Sequence, residues 1–177
     1  MEKLISKEYK EKIVAFHTKR GWGGPISKHI PFLIHKYMAL SQANSILDYG
    51  AGSSLFKEKM DQQYPNAKFN IHEYEPGIIG KDEDPPVCDA TVCFDVLEHV
   101  EPNKIDNVLQ HIYDKTNKWA YVMICCIPSR KTFSDGQNLH LLIRESNWWL
   151  EKFKYEWDMF DIKTYNGGFL EVLLIKK

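Results

Sequence analysis

The stretch Ile46-Leu47-Asp48-Tyr49-Gly50-Ala51-Gly52-Ser53-Ser54 decides how the rest of the chain is read. Residues 45–49 read as a short strand and 55–63 as a helix, so D-x-G-x-G falls where a strand gives way to a helix. Glycine suits that place because the chain turns sharply and its backbone must lie close to a ligand, where a Cβ would collide. The helix that follows presents unpaired N–H groups to whatever sits in the turn. A tight strand-to-helix turn with no ligand uses the same residues, so the motif gains meaning only from its surroundings.

Outward from that turn, short strands alternate with helices. Residues 68–74 read as a second strand with Phe69 and Ile71 on one face, and residues 76–86, rich in proline, glycine and acids, read as loop. Residues 90–94 are a buried strand. Residues 103–118 show the clearest helical spacing, through Ile105, Val108, Leu109 and Ile112, with Asn103 as the expected cap. Residues 119–127 read as a central strand, 145–155 as a helix, and 160–165 with 169–175 as a hairpin closed by Asn166-Gly167-Gly168. Upstream, Tyr9, Ile13 and Phe16 mark one helix and Ile30, Leu33, Ile34 and Tyr37 another, with Gly21 to Pro25 as a turn. The pattern predicts an α/β fold with a mostly parallel sheet. One domain over residues 1–177 is expected, with N-terminal helices or a lid at 1–42 and the layered core at 43–177.

Composition narrows the partners. The 177 residues hold 23 Lys plus Arg against 24 Asp plus Glu, so no global positive field favours nucleic acid or an anionic membrane. Cys88, Cys93, Cys125 and Cys126 lie in or beside strand-like segments without C-x-x-C spacing and read as reduced. The longest apolar run, 120–127, is too short to span a bilayer, and residues 1–12 lack a signal-peptide core. A cytoplasmic protein is expected. No motif specifies an oligomer.

About twenty residues beyond the glycine turn comes Glu73-Tyr74-Glu75-Pro76, where an acid at the strand tip can accept hydrogen bonds from both hydroxyls of a ribose. Glu75 takes the tip; the plainer alternative is a solvated acid at a loop end. The third element is Asp95-Val96-Leu97-Glu98-His99-Val100, directly after the 90–94 strand. With these three in order, the sequence resembles the class I S-adenosylmethionine-dependent methyltransferases over roughly residues 45–127. The D-V-L-E-H-V-E-P run with the D-G-x-N-x-H segment at Asp135 to His140 also resembles small phage-encoded and bacterial methyltransferase-like proteins. The resemblance implies a Rossmann-like sheet ending in an antiparallel hairpin, S-adenosylmethionine as cofactor, and a cofactor site of Asp48, Gly50, Ala51, Gly52, Glu75, Asp95 and Val96. The sequence departs from the family pattern in two places. Ser54 replaces a common third glycine, and residues 76–86 leave no room for the usual third strand. Six strands in the order 2-1-4-5-7-6 are therefore expected, with Ile78 or Ile79 walling the adenine.

Asp95, Glu98 and His99 have i, i+3 and i+4 spacing, which on one helical turn points them to one side, and His140 follows the next strand. The set resembles the acid and histidine arrangement of metal-dependent O-methyltransferases, which implies a divalent ion (Mg, Mn, Fe or Zn) on Asp95, Glu98, His99 and His140. Two other readings stand beside it: His99 or His140 as a metal-free base with Glu98 nearby, or a structural role for the whole cluster. A hydroxyl of a small-molecule acceptor is the expected target. The rivals are the terminal ribose of an RNA, a non-catalytic cofactor-binding module, and a dinucleotide-dependent reductase, which the missing G-x-G-x-x-G disfavours. Around the site, Arg130 and Lys131 are candidates for an anionic group, Trp22 for a lid and His17 for a neighbour of the cofactor. Trp148 and Trp149 read as core rather than as a platform for substrate.

Overall fold

A computed structural model describes residues 3–20, 27, 29–166 and 168–177, with residues 19 and 20 by their backbone. Two helices, α1 (Lys7–Arg20) and α2 (His29–Ser41), precede β1 (Ser45–Tyr49), α3 (Leu55–Gln63), β2 (Asn70–Tyr74) and β3 (Cys88–Phe94). A 3-10 turn at Leu97–His99 leads to α4 (Ile105–Asp114), β4 (Thr116–Cys125), α5 (Ser146–Phe153), β5 (Trp157–Tyr165) and β6 (Phe169–Lys176). The strands form one sheet in the order β2-β1-β3-β4-β6-β5, the arrangement expected for a sheet lacking its third strand. β1, β2, β3 and β4 run parallel, and β6 returns antiparallel between β4 and β5.

Each face of the sheet is covered. On one, Ile105, Val108 and Ile112 of α4 and Trp149 and Phe153 of α5 pack against Leu47, Cys93 and Val122. On the other, Ile30, Ile34 and Met38 of α2 and Phe56 and Met60 of α3 pack against Ile46, Val92 and Tyr121. Removing these apolar surfaces from water is the main drive toward this layering. Trp149 is fully buried, as expected of a core residue, whereas Trp148 is half-buried beneath Arg144 and Lys152. The four cysteines are free thiols. Among the described residues no helix is long and apolar enough to cross a membrane.

Several boundaries differ from the sequence reading. The fourth helix begins at Ile105, its cap position is Lys104, and no side chain caps it, so Asn103 does not take that role. Residues 116–118, expected to be helical, open β4: the Thr116 hydroxyl donates to the Ile112 carbonyl at 2.6 Å and accepts from Thr91 at 2.6 Å. That buried pair of hydroxyls sets the start of the strand, which helical spacing alone does not mark. The expected Gly21 to Pro25 turn and Trp22 lie outside the described residues.

Candidate functional site

In a parallel sheet the strands end at a common edge, and here the loops after β1, β2, β3 and β4 surround one cavity of about 690 Å³. That is within the usual range for a small-molecule site. Gly50, Ala51, Gly52, Glu75, Asp95, Val96, Glu98, His99 and His140 all line it. Asp48 does not. It is buried within β1, its Oδ2 has no hydrogen-bond partner, and burial, reinforced by the Glu73 charge, pushes its carboxyl up to about 8.

The glycine turn is also locked from within the protein. Gly50 has φ +82°, and a Cβ there would lie 2.2 Å from Val96 Cγ2. The left-handed backbone and the approach of the segment after β3 each require glycine at this position. Ser54, also left-handed at φ 67°, accepts through its hydroxyl oxygen from Lys81, whose Nζ donates to Ser54 Oγ (2.6 Å), Gly52 O (3.0 Å) and Glu73 Oε1 (3.2 Å). Lys81 therefore clamps the turn from the loop after β2. A single lysine in an acidic loop carries no sequence signal of that role.

Glu75 stands at the tip of β2 as expected. Its carboxylate accepts from Gly52 N–H (3.4 Å) and Gly77 N–H (3.1 Å), and His17 Nε2 lies 3.8 Å away. Burial raises its pKa, while the two backbone donors and Lys81 oppose the shift. Ile78 and Ile79 do not wall the cavity; Ile79 is 92% exposed. That wall belongs to α1, whose Tyr9, Ile13, Phe16 and His17 line the space. The helix is strapped across the opening by Lys10–Asp82 (2.9 Å) on one side and Lys12–Asp135 (2.8 Å) on the other. Phe133 packs edge-on against both Tyr9 and Phe16. The apolar spacing of α1 was legible, but not the surface it would meet.

Asp95 and the residues after it do not share one helical turn. Asp95 has φ 54° and precedes the 3-10 turn, its Oδ1 buried without a hydrogen-bond partner and its pKa raised by burial. The groups that converge are Glu98, His99 and His140, with one ligand atom from each within 4.8 Å of the others. Asp95 falls outside this set, because its left-handed backbone breaks the i, i+3, i+4 relationship on which the four-residue expectation rested. Glu98 is fully buried. Its Oε1 accepts from Cys125 N–H at 2.9 Å, its Oε2 has no hydrogen-bond partner, and burial together with Asp95 holds its pKa well above the usual range. His99 Nδ1 donates to Leu139 O (2.8 Å) and His140 Nδ1 to Ile127 O (2.5 Å). A carbonyl can only accept, so both rings carry a proton on Nδ1, and in the neutral form of either ring the lone pair lies on Nε2. Burial lowers the His99 pKa to about 4.

No family model matches the sequence, and no curated protein matches it. The fold is similar to that of an O-methyltransferase family protein from Burkholderia thailandensis (TM-score 0.57, 8% identity, 97% of this chain and 60% of the other). It is similar to the pyocyanin biosynthetic protein PhzM (0.56, 13%, 85% and 54%). It is also similar to the Burkholderia thailandensis 1,6-didemethyltoxoflavin-N1-methyltransferase, solved with its substrate and S-adenosylhomocysteine (0.67, 12%, 96% and 89%). The chain thus spans little more than half the length of the first two. Strand order, reversed hairpin and these likenesses together establish that the chain has the fold of class I S-adenosylmethionine-dependent methyltransferases.

Proposed function

We propose that the protein is an S-adenosylmethionine-dependent methyltransferase acting on a hydroxyl of a small molecule. The observation that carries this reading is that the glycine turn, Glu75 and the Glu98, His99 and His140 set all open into one cavity. Methyl transfer to oxygen needs two partners aligned and one proton removed, and one enclosure here offers a site for each task. S-Adenosylmethionine supplies an activated methyl group on its sulfonium. Each Glu75 oxygen keeps acceptor capacity beyond the backbone N–H it already binds, which fits a ribose hydroxyl. The N–H groups of the turn and of the start of α3 suit the methionine carboxylate.

Glu98, His99 and His140 are the residues that would hold a divalent ion. The buried Glu98 with an orphaned oxygen and two imidazoles oriented through Nδ1 by backbone carbonyls fit that purpose. An ion there would hold the acceptor oxygen and lower its pKa. A pKa of about 4 makes His99 a poor base at neutral pH but keeps it neutral, as a ligand must be. In the metal-free form of the same proposal, His140 takes the acceptor's proton. The balance of 23 basic against 24 acidic residues supports a small molecule over the terminal ribose of an RNA.

The test is calorimetric titration with S-adenosylhomocysteine, followed by methyl transfer from labelled donor to a panel of hydroxylated compounds with and without chelation. Binding at micromolar concentration and label on an oxygen are expected. No retention at millimolar concentration removes the proposal, and no ion binding by the chelated wild type removes its metal form.

A further inference from the structure

Resting on that methyltransferase reading, we infer that the acceptor carries an anionic group, held by Arg130 and Lys131 at the rim of the cavity while its hydroxyl reaches His140. These two are the only Lys or Arg among the described residues lining the space. The lysines around it are already paired: Lys10 with Asp82, Lys12 with Asp135 and Lys81 with Glu73. No carboxylate among the described residues lies within ion-pair distance of either Arg130 or Lys131, so both head groups face water without a partner of opposite charge.

Charge also orients the ligand. The interior holds the acids Glu75, Asp95 and Glu101 and no Lys or Arg, so an anionic group is favoured only at the rim and the neutral hydroxyl end enters first. Phe94, Met123, Leu139 and Phe169 offer apolar wall for the carbon skeleton between the two ends.

The spacing between those ends is built in. Asn138 Oδ1 accepts from Ser129 N–H (3.0 Å) and His140 N–H (2.9 Å), and its Nδ2 donates to Ser129 O (2.9 Å). One side chain therefore ties the residue before Arg130 to the candidate base. Phe133, buried against α1, anchors the same loop. Cations and imidazole held in fixed register select an acceptor by the distance from its anion to its hydroxyl. The chemical class is a compact hydroxylated carboxylic acid or phosphate ester, and the planar fork of arginine suits either.

The experiment measures binding to protein saturated with S-adenosylhomocysteine. Protocatechuate is compared with its neutral amide, and hydroquinone monophosphate with hydroquinone, in wild type and in the double variant Arg130→Gln, Lys131→Gln. At least one anionic probe is expected to bind roughly tenfold tighter than its neutral counterpart, the size of one charge-assisted contact. The double variant is expected to lose that preference while retaining S-adenosylhomocysteine, which serves as the check on folding. The better of the two pairs identifies carboxylate or phosphate. Equal affinities, no binding of either anion at millimolar concentration, a preference that survives in the double variant, or tighter binding of a short RNA would each overturn the inference. Failure to bind S-adenosylhomocysteine would instead defeat the underlying reading, and the inference with it.

Discussion

Gly50→Ala should test how the cofactor turn is locked to the segment after β3. A residue with a Cβ at φ +82° carries about 1–2 kcal/mol of left-handed strain. The new Cβ would also lie 2.2 Å from Val96 Cγ2 and 2.9 Å from Cγ1, an overpacking that costs about 1–3 kcal/mol as the neighbours shift. Together these predict a loss of about 2–5 kcal/mol. Val96→Ala removes both γ carbons and leaves its own Cβ 3.1 Å from the new one, so it should recover the packing part but not the strain. The double-mutant cycle should then show a coupling of about 1–3 kcal/mol. Urea denaturation of the four proteins measures it, as a shift in midpoint at constant slope. A Gly50→Ala protein within about 1 kcal/mol of wild type, or one that Val96→Ala fails to relieve, would refute the interlock.

Other consequences are as direct. Native Asp48 keeps its proton up to about 8, whereas the unfolded chain releases it near 3.8. The unliganded protein should therefore lose stability as pH rises between those values. Asp48→Asn should flatten that slope and recover up to about 4 kcal/mol at neutral pH; parallel pH profiles of the two proteins would contradict it. Phe133→Ala, emptying the contact beneath α1, should cost about 3–5 kcal/mol and speed dissociation of S-adenosylhomocysteine in stopped-flow measurements. Unchanged dissociation would show that α1 does not govern access. His99→Ala and His140→Ala should each lower turnover by about 10²-fold or more, and an activity indifferent to both would show that neither histidine takes part in the chemistry.

Much of this was legible because it is local. The strand-turn-helix around Gly50 and Gly52, the acid at the tip of β2 and the hairpin at the end of the chain depend on residues within a few positions of one another, where periodicity and turn chemistry act. The expected order of the six strands, implied by the resemblance, agrees with the sheet observed. Boundaries set by distant partners were not legible: residues 116–118 continue a helical pattern until Thr91, on the neighbouring strand, claims the Thr116 hydroxyl.

The candidate site divides in the same way. Sequence alone named Glu98, His99 and His140 as chemically able residues and placed them after consecutive strands. Only the tertiary structure gathered those three and left Asp95 aside, turned Lys81 toward the glycine loop and laid α1 across the opening. The reason is that a propensity is a property of a short segment, whereas a contact such as His99 with the Leu139 carbonyl closes forty residues of chain. Such a contact forms only when the apolar faces on both sides of the sheet have found their places.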